Sequence, residues 1–378
     1  MVNRFECVLT TIQHEEPPVV PQIIDFTNEM SRSKFISIIN EKAEKTEKVT
    51  KKLFYSTKNN VSLKFYKILK EAELLDNFIV HVGSGGFQVT NRVKADFERF
   101  LDKWETGAVW RVGTSKTTWV REYIKYPVER EEDLEKLVFP DPDDPERYLD
   151  IEKSIEYVQD KGFFPTCSIN GFFSGLWYFV RGPLEVVLRD IYHNRRLFEN
   201  LMAKIGEFNL KAEKNLLERG ALMITWVDDL GYNKGTFMNP NVYKELIFPW
   251  HKKAIELAHK YGAFVNMHSH GNINAIVPFL VDAKLDVLNP IGPSDNMNLA
   301  FLKEKFGDKL CLQGGLSKHI GFMNLSELKE HIIDRLRIGS PGGGYILSSE
   351  GSIPYEMSVN NFLAFLKISR KYRRTKHF

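Results

Sequence analysis

The sequence predicts an α/β protein, a single (β/α)8 TIM barrel with an N-terminal helical extension and an insertion between strands 2 and 3. Short apolar runs alternate with longer amphipathic stretches over most of the 378 residues, and about eight such runs occur, as a parallel barrel requires. A doubly wound open sheet is the competing fold, but no GxGxxG follows the first run. One domain is therefore expected to span residues 1–378.

The N-terminal part supplies two candidate strands. The run PVVPQIIDF, residues 18–26, is the first, and a lysine-rich helical segment follows it over residues 33–52. The run NFIVHVGSGG, residues 77–86, is the second and ends in glycines, as many strands do where a loop begins. Residues 87–148 are rich in Trp, Lys and Arg and end in VFPDPDDPERY. Their proline and aspartate content predicts an irregular surface insertion.

Six further candidate strands complete the barrel. The helical stretches between them include PNVYKELIFPWHKKAIELAHKYG, which opens on Asn-Pro and ends on Gly as a helix should. The chain ends in a basic tail, residues 367–378, which is expected to be a solvated terminus, with docking to an acidic partner as the alternative. The six candidate strands are residues 163–169, 221–229, 263–271, 285–292, 310–315 and 344–351.

Composition excludes several classes of protein. With 43% hydrophobic and 27% charged residues, the chain fits a soluble globular protein, and a net charge of +3 is too small to indicate a nucleic-acid partner. Cys7, Cys167 and Cys311 are far apart, so neither a disulfide framework nor a cysteine-rich zinc module is expected. The N-terminus lacks an apolar leader, and no apolar run approaches the roughly 20 residues that span a bilayer. A cytoplasmic protein without membrane contact is predicted.

Polar side chains follow the last five candidate strands, where the active sites of parallel barrels lie. His268 and His270 are two positions apart, so on an extended strand both rings would point to one side. Two imidazoles and several carboxylates at one end of a barrel indicate a divalent metal, zinc or iron. Satisfied polar residues, a helix cap and a turn are the alternative interpretations. The strand-end residues are Asp228, Asp229, His268, His270, Asn289, Gln313, Ser348, Ser349 and Glu350.

Only one of the two adjacent aspartates is expected to face the site, because neighbours on a strand point to opposite sides. Asp229 is favoured over Asp228. Aromatic residues crowd the same end of the predicted barrel, as core packing or as a flat apolar slot for a planar ring, with an arginine near an anionic group. The SPGGGYIL run, residues 340–347, lacks the lysine of a phosphate loop and precedes a strand. The slot residues are Phe172, Phe173, Trp177, Tyr178, Arg181, Phe237 and Met238.

Several of these segments together resemble the uroporphyrinogen decarboxylase superfamily, which includes the cobalamin-dependent methyltransferases. The resemblance rests on PDPDDPERY, DDLGYNKGTFMNPNVYKELIFPWHKKAIELAHKYG, HSHGNINAIVPFLVDAKLDVLNPI, KEKFGDKLCLQGGLS and GGGYILSSEGSIP, in this order. It covers nearly the whole chain and implies a single barrel, and members of the superfamily are often homodimers.

Two departures from the superfamily's motifs bear on the reaction. True uroporphyrinogen decarboxylases carry an arginine-rich N-terminal strand, whereas PPVVPQIIDFTNEM here contains no arginine, which argues against tetrapyrrole decarboxylation. Relatives that methylate thiols hold zinc with His-x-Cys and Cys-Gly-x-x-Pro. This chain has His268-Ser269-His270 and Glu350-Gly351-Ser352-Ile353-Pro354 at those places, so His and Glu replace the two cysteines. The resemblance therefore implies zinc held by His268, His270 and Glu350.

Nitrogen and oxygen ligands leave zinc a stronger Lewis acid toward oxygen than thiolates do. Relatives with such sites resemble the methyltransferases that O-demethylate methoxylated aromatics. The expected substrate is a methoxylated benzoate or phenol, and the expected methyl acceptor is a Co(I) corrinoid on a separate corrinoid protein, since this chain has no DxHxxG motif. Asp229 would orient the metal ligands by hydrogen bonding or donate a proton to the leaving oxygen, and residues 172–178 would contact the ring.

Three other functions remain as alternatives. A metal-free decarboxylase of a porphyrinogen or smaller carboxylic acid would use Asp229 to stabilise a protonated intermediate. An amidohydrolase-type barrel also uses His-x-His, but after its first strand and with later histidines, and DVLNPIG contains none. A non-catalytic scaffold for a corrinoid protein is the third.

Overall fold

A computed structural model of the chain describes residues 2–26, 29–44, 61–95, 99–114 and 119–374. It contains a parallel sheet, a smaller antiparallel sheet and a two-stranded hairpin. The described strands are β1 (Ile79–Ser84), β2 (Val89–Lys94), β3 (Arg99–Trp104), β4 (Val109–Thr114), β5 (Trp119–Lys125), β6 (Phe164–Asn170), β7 (Met223–Val227), β8 (Gly231–Tyr232), β9 (Gly235–Thr236), β10 (Phe264–His268), β11 (Val287–Ile291), β12 (Cys311–Leu316) and β13 (Tyr345–Ser349).

Helices precede β1 and connect the parallel strands. Three helices precede β1, where a helical extension was predicted, and residues 45–52 of the predicted lysine-rich helix lie outside the described ranges. The described α-helices are α1 (Arg4–Ile12), α2 (Glu29–Glu44), α3 (Val61–Leu75), α4 (Ile151–Asp160), α5 (Phe173–Phe179), α6 (Leu184–His193), α7 (Arg195–Leu217), α8 (Pro240–Leu246), α9 (Phe248–Lys260), α10 (Val277–Asp282), α11 (Leu299–Phe306), α12 (Leu325–Gly339) and α13 (Val359–Tyr372).

The parallel sheet has seven strands in the order β1-β6-β7-β10-β11-β12-β13. Each strand pairs with the next strand of the sheet along the chain, with helices in the connections, and the sheet is curled. The strands β11 and β12 are buried along their whole length, as expected for strands covered on both faces. The predicted α/β class and a TIM-barrel-like fold are confirmed, and seven of the eight predicted strands are present.

The first predicted strand, residues 18–26, makes only isolated bridges. Within it, Gln22 and Ile23 contact both outer strands of the sheet: the Ile23 N–H donates to the Leu347 carbonyl of β13 at 3.1 Å, and the Gln22 carbonyl accepts from the N–H of Phe78, next to β1, at 3.0 Å. Pro18 and Pro21 have no N–H, so a regular ladder cannot form here. This short segment therefore lies between the two outer strands without being a full strand.

The segment predicted to be an irregular insertion contains regular strands. Strands β2 to β5 form an antiparallel four-stranded sheet over residues 89–125, in place of the predicted irregular structure. Every residue of β2 is exposed, so no alternation of apolar and polar residues marks it in the sequence. Trp110 of β4 stacks on Phe179 of α5 at 5.0 Å, and this contact attaches the small sheet to the main fold.

Two helical predictions are modified by the structure. The helix predicted over PNVYKELIFPWHKKAIELAHKYG is broken at Ile247 into α8 and α9, because Pro249 near the start of α9 has no N–H to continue the ladder. The predicted solvated tail is helical up to Tyr372, and Arg373 is fully buried, where its guanidinium pairs with Asp76. Residues 375–378 lie outside the described ranges. No helix among the described residues is both long and apolar enough to cross a membrane.

Candidate active site

A cavity of about 140 Å³ lies where the parallel strands end. Its lining includes seven of the predicted site residues, which lie on or directly after the last four strands of the parallel sheet. The carboxyl ends of parallel strands meet at one end of such a sheet, so residues far apart in sequence come together here. The predicted residues that line the cavity are His268, His270, Asn289, Gln313, Ser348, Ser349 and Glu350.

The two imidazoles lie side by side at the end of β10. The ring centroids of His268 and His270 are 4.8 Å apart, and the ring planes are nearly perpendicular at 86°. His270 is about half exposed, its Nδ1 lies 3.5 Å from a carboxylate oxygen of Asp295, and its backbone N–H donates to Asp229 at 2.9 Å. The strand ends at His268, and both rings nevertheless remain on the same side, as predicted.

A row of amide side chains fixes the orientation of His268. Its Nδ1 donates to the Asn289 side-chain oxygen at 2.7 Å, the Asn289 amide donates to Asn266 at 2.5 Å, and the Asn266 amide donates to Gln313 at 3.3 Å. Because Nδ1 carries the proton, Nε2 keeps its lone pair. Burial, followed by the charge of His270, lowers the pKa of His268, so the ring is neutral near pH 7.

Glu350 is buried, and Ser294 and Lys318 hold its carboxylate in the cavity lining. One oxygen accepts from the Ser294 hydroxyl at 2.6 Å and the Lys318 N–H at 2.9 Å, and the other accepts from the Ser294 N–H at 2.7 Å. A carboxylate offers about four lone-pair positions, so these three bonds leave room for one more partner. Its neighbours thus orient Glu350 as outer hydrogen bonds orient metal-binding carboxylates.

Among the residues that the structure describes, no three His, Cys, Asp or Glu side chains lie close enough to hold a metal ion. The donor types nevertheless suit zinc, since two imidazoles and a carboxylate are ligands found at catalytic zinc sites. The fixed tautomer of His268 and the remaining lone pair of Glu350 are also compatible with coordination. Metal binding by His268, His270 and Glu350 therefore stays a prediction.

The adjacent aspartates have different environments. Asp228 is fully buried, and its carboxylate accepts from the N–H groups of Phe172, Phe173 and Ser174 at the start of α5. Such bonds satisfy N–H groups that a helix start leaves without partners. Asp229 is partly exposed and accepts from the His270 N–H. The structure thus gives Asp228 a structural role and places Asp229 beside the imidazole pair.

Two residues that the sequence analysis did not single out complete the environment of Asp228. His251 of α9 donates through Nε2 to the carboxylate at 2.7 Å, and its Nδ1 accepts from the Tyr243 hydroxyl at 2.9 Å. All three side chains are buried, and the Asp228 N–H donates to the His268 carbonyl at 2.7 Å. The hydrogen bonds of Tyr243, His251 and Asp228 therefore connect helices α8 and α9 to the end of β10. Nothing in the helical pattern of the sequence indicates these bonds.

The predicted ring-binding residues do not line the cavity. Phe172 and Phe173 are fully buried core residues, and Met238 is also buried. Trp177 and Tyr178 are partly buried with ring centroids 3.7 Å apart. Burial, followed by the charge of Asp229, raises the pKa of Tyr178. Phe237 is also partly buried and stacks on Tyr232 at 6.4 Å.

Arg181 does not contact the cavity either. Its guanidinium donates to Asp190 at 2.8 Å and to the carbonyl oxygens of Val128 and Glu129, and both charged side chains are nearly buried. This cation is already paired inside the protein. The prediction that Arg181 binds an anionic group of the substrate is therefore not supported by its position.

The cavity also contains residues that the sequence analysis missed. Asp25 is part of the cavity lining. Asn266, Ser294 and Asp295 contact the lining residues Asn289, Glu350 and His270, respectively. Asp25 is the last residue but one of the first predicted strand, so the rule that active-site residues lie at strand ends would have found it had it been applied there. The other three have no comparable sequence signal.

A family model matches this chain, and one solved structure shares its fold. The family model described as Uroporphyrinogen decarboxylase (URO-D) matches residues 118–372. A solved structure described as a methyltransferase from Methanosarcina mazei is 16% identical, with a TM-score of 0.67, and the match covers 98% of this chain and 99% of that one. A B12-independent methionine synthase from Shewanella sp. W3-18-1 is 13% identical, with a TM-score of 0.45 and coverage of 82% and 88%. No curated protein matches the sequence.

Proposed function

Since the chain belongs to the uroporphyrinogen decarboxylase (URO-D) family, we propose that it is a metal-dependent methyltransferase that demethylates methoxylated aromatic compounds. The methyl group would pass to the Co(I) corrinoid of a separate corrinoid protein. The observation that carries the proposal is the pair of imidazoles, 4.8 Å apart, on a cavity that Glu350 also lines.

His268, His270 and Glu350 are the proposed zinc ligands. Zinc bound there would act as a Lewis acid on the ether oxygen and stabilise the charge of the departing aryl oxide. The amide row holds His268 with its Nε2 lone pair available, and Ser294 and Lys318 hold Glu350. These contacts orient the ligands before any substrate arrives.

The remaining cavity residues support binding of an aromatic ether. Ile23, Ile24, Ile353 and Phe365 form an apolar part of the lining, which suits a ring and excludes water from it. Asp229, beside His270, is the proposed orienting group or proton donor for the leaving oxygen. His270 is about half exposed, which leaves this side of the cavity accessible to a second protein.

A metal-free decarboxylase is the second candidate, because the family itself is described by that activity. Its substrates carry carboxylates, and a porphyrinogen carries many. The described residues that line the cavity include no Lys or Arg to bind them. This observation favours methyl transfer over decarboxylation.

The deciding experiment measures metal content and turnover on the same protein. Wild-type protein loaded with zinc is expected to retain it through dialysis and to convert a methoxyarene to a phenol when reduced corrinoid protein is present. His270→Ala should lose both properties together, whereas His193→Ala, which alters an exposed histidine at the end of α6, should lose neither. Full zinc content and turnover in His270→Ala would reject the site. Release of carbon dioxide from a carboxylic acid without corrinoid protein would favour the decarboxylase.

A further inference from the structure

Asp295, in the turn after β11, contacts the loop that carries His270. One oxygen of its carboxylate, Oδ2, lies 3.5 Å from His270 Nδ1 and accepts a hydrogen bond from the Gly271 N–H at 3.1 Å. Only 20% of the Asp295 side chain is exposed, so much of its environment is protein. The proposed set of zinc ligands gives this residue no role.

The backbone of the His270 loop is held by two carboxylates. The His270 N–H donates to Asp229 at 2.9 Å, and the Gly271 N–H donates to Asp295. Gly271 has a φ of +92°, and a Cβ added there would collide with the Gly231 backbone, so the loop is also closely packed. What remains to be fixed is the orientation of the imidazole and the choice of the nitrogen that carries its proton.

The contact with Asp295 settles both points. Of these two residues, His270 belongs to the cavity lining and Asp295 does not. An ionised carboxylate can only accept, so a ring nitrogen that faces it is favoured as N–H. With the proton on Nδ1, the lone pair of His270 is on Nε2. Histidines that bind metals commonly donate their other ring N–H to a carboxylate or a carbonyl in this way.

His268 has the same arrangement. Its Nδ1 donates to the Asn289 side-chain oxygen, so its lone pair is also on Nε2. The two neighbouring imidazoles therefore each direct Nδ1 to an acceptor of the protein and keep Nε2 for another partner. This is the arrangement expected of two ligands that share one ion.

The turn that carries Asp295 also reaches Glu350. Ser294 donates to the Glu350 carboxylate through both its N–H and its hydroxyl. A Cβ added at Gly292 would lie 2.8 Å from Glu350 Oε2 and 3.2 Å from Asp295 Oδ2, so the two carboxylates border the space that this glycine leaves open. One short turn thus contacts two proposed zinc ligands that are far apart in the sequence.

We propose that Asp295 is a positioning residue, which fixes His270 with its proton on Nδ1 and its Nε2 lone pair available to the metal. The inference rests on the proposed function, because it concerns a ligand of that same site. Asp295 acts through His270 and does not itself bind the metal. Its Oδ2 is the oxygen required, since this one atom contacts both His270 and the Gly271 N–H.

The first test determines the tautomer of His270 in the metal-free, full-length protein. Long-range ¹⁵N–¹H correlation spectra of protein with ¹⁵N-labelled histidine distinguish the two tautomers at about pH 8.5, above the usual range of histidine. His270→Gln identifies the signal by removing it. We expect the Nδ1–H form in wild type and a shift toward the Nε2–H form in Asp295→Ala. His268 is the internal control and should keep Nδ1–H in both proteins, since Asn289 is unchanged.

The second test measures zinc affinity by competition with a chromophoric chelator. Asp295→Ala should weaken zinc binding about 10- to 100-fold, as loss of an outer partner does. Asp295→Asn keeps an oxygen at the position of Oδ2 and should stay within about threefold of wild type. Asp308→Ala, at an exposed aspartate after α11, is the matched control and should bind zinc as wild type does.

Three results would overturn the inference: an Nε2–H tautomer in wild type, unchanged zinc affinity in Asp295→Ala, or a loss in Asp295→Asn as large as that in Asp295→Ala. The last result would mean that the carboxylate itself binds the metal. Wild-type demethylation combined with any of these results would leave the proposed function intact. The expected tautomers and affinities without demethylation would reject the proposed function and retain the role of Asp295.

Discussion

His268 donates through Nδ1 to the side-chain oxygen of Asn289, and this 2.7 Å bond decides which nitrogen of the ring is available to a ligand. Asn289→Leu removes the acceptor and lets the imidazole change tautomer and rotate. We expect zinc affinity to fall about 10- to 100-fold, as it does when an outer partner of a metal-binding histidine is lost. Competition with a chromophoric chelator measures the affinity. Asn360→Leu, at an exposed asparagine of α13, is the control, and equal affinities in the two variants would contradict the role of Asn289.

Asp228 and Asp229 are expected to differ in what they contribute. Asp228→Ala leaves three backbone N–H groups and His251 without their buried acceptor, so the free energy of unfolding should fall by at least about 3 kcal/mol. Asp229→Ala removes one partly exposed acceptor and should cost under about 1 kcal/mol while it reduces turnover. Urea denaturation and the demethylation assay measure these effects. A stable Asp228→Ala protein that lacks activity would instead make Asp228 catalytic.

The sequence predicted the parallel strands well because each is a short buried apolar run, and the site residues at their ends followed from that prediction. It failed where a side chain's partner lies far away in the chain. In the sequence Arg181 has no evident partner. In the folded chain its guanidinium donates hydrogen bonds to Asp190, Val128 and Glu129. Likewise, the exposed strand β2 has no apolar face to reveal it. Ion pairs and exposed strands depend on tertiary contacts, and the spacing of apolar residues along the sequence does not indicate those contacts.

Arg181 should affect stability and not the choice of substrate. Arg181→Met leaves Asp190 as an unpaired, nearly buried charge, and the expected loss is about 3–5 kcal/mol in the free energy of unfolding. The double variant Arg181→Met, Asp190→Leu should recover most of that loss, because both charges are then absent. Urea denaturation compares the three proteins. If Arg181→Met were as stable as wild type but had an altered affinity for 4-methoxybenzoate, Arg181 would be a substrate-binding residue.

A pH-dependent contribution to stability is expected far from the cavity, at the end of α9. His259 lies 2.9 Å from a carboxylate oxygen of Asp286, and this bond raises the pKa of the histidine above 6.5, partly opposed by burial. A raised pKa in the folded state stabilises the protein fully below pH 6.5, and the contribution is lost as the pH rises through the folded value. Because the ring is about one-third exposed, the effect should stay below about 1 kcal/mol.

His259→Gln tests this contribution. Urea denaturation between about pH 5.5 and 8.5 should show wild type more stable than the variant at the acidic end, with the difference shrinking as the pH rises. His193→Gln, at an exposed histidine, should show no such trend. A difference that instead grew with pH would mean that His259 is neutral in the folded protein.

The segment that holds Gln22 and Ile23 between β13 and the start of β1 makes the domain depend on residues outside the family's matched region. That region begins at residue 118, whereas β1 and this segment precede it. A fragment of residues 118–372 would leave β6 and β13 with unpaired edges and would lack Asp25 altogether. Apolar strands with free edges recruit other chains, so such a fragment would aggregate instead of folding. We therefore expect that the matched region does not fold on its own.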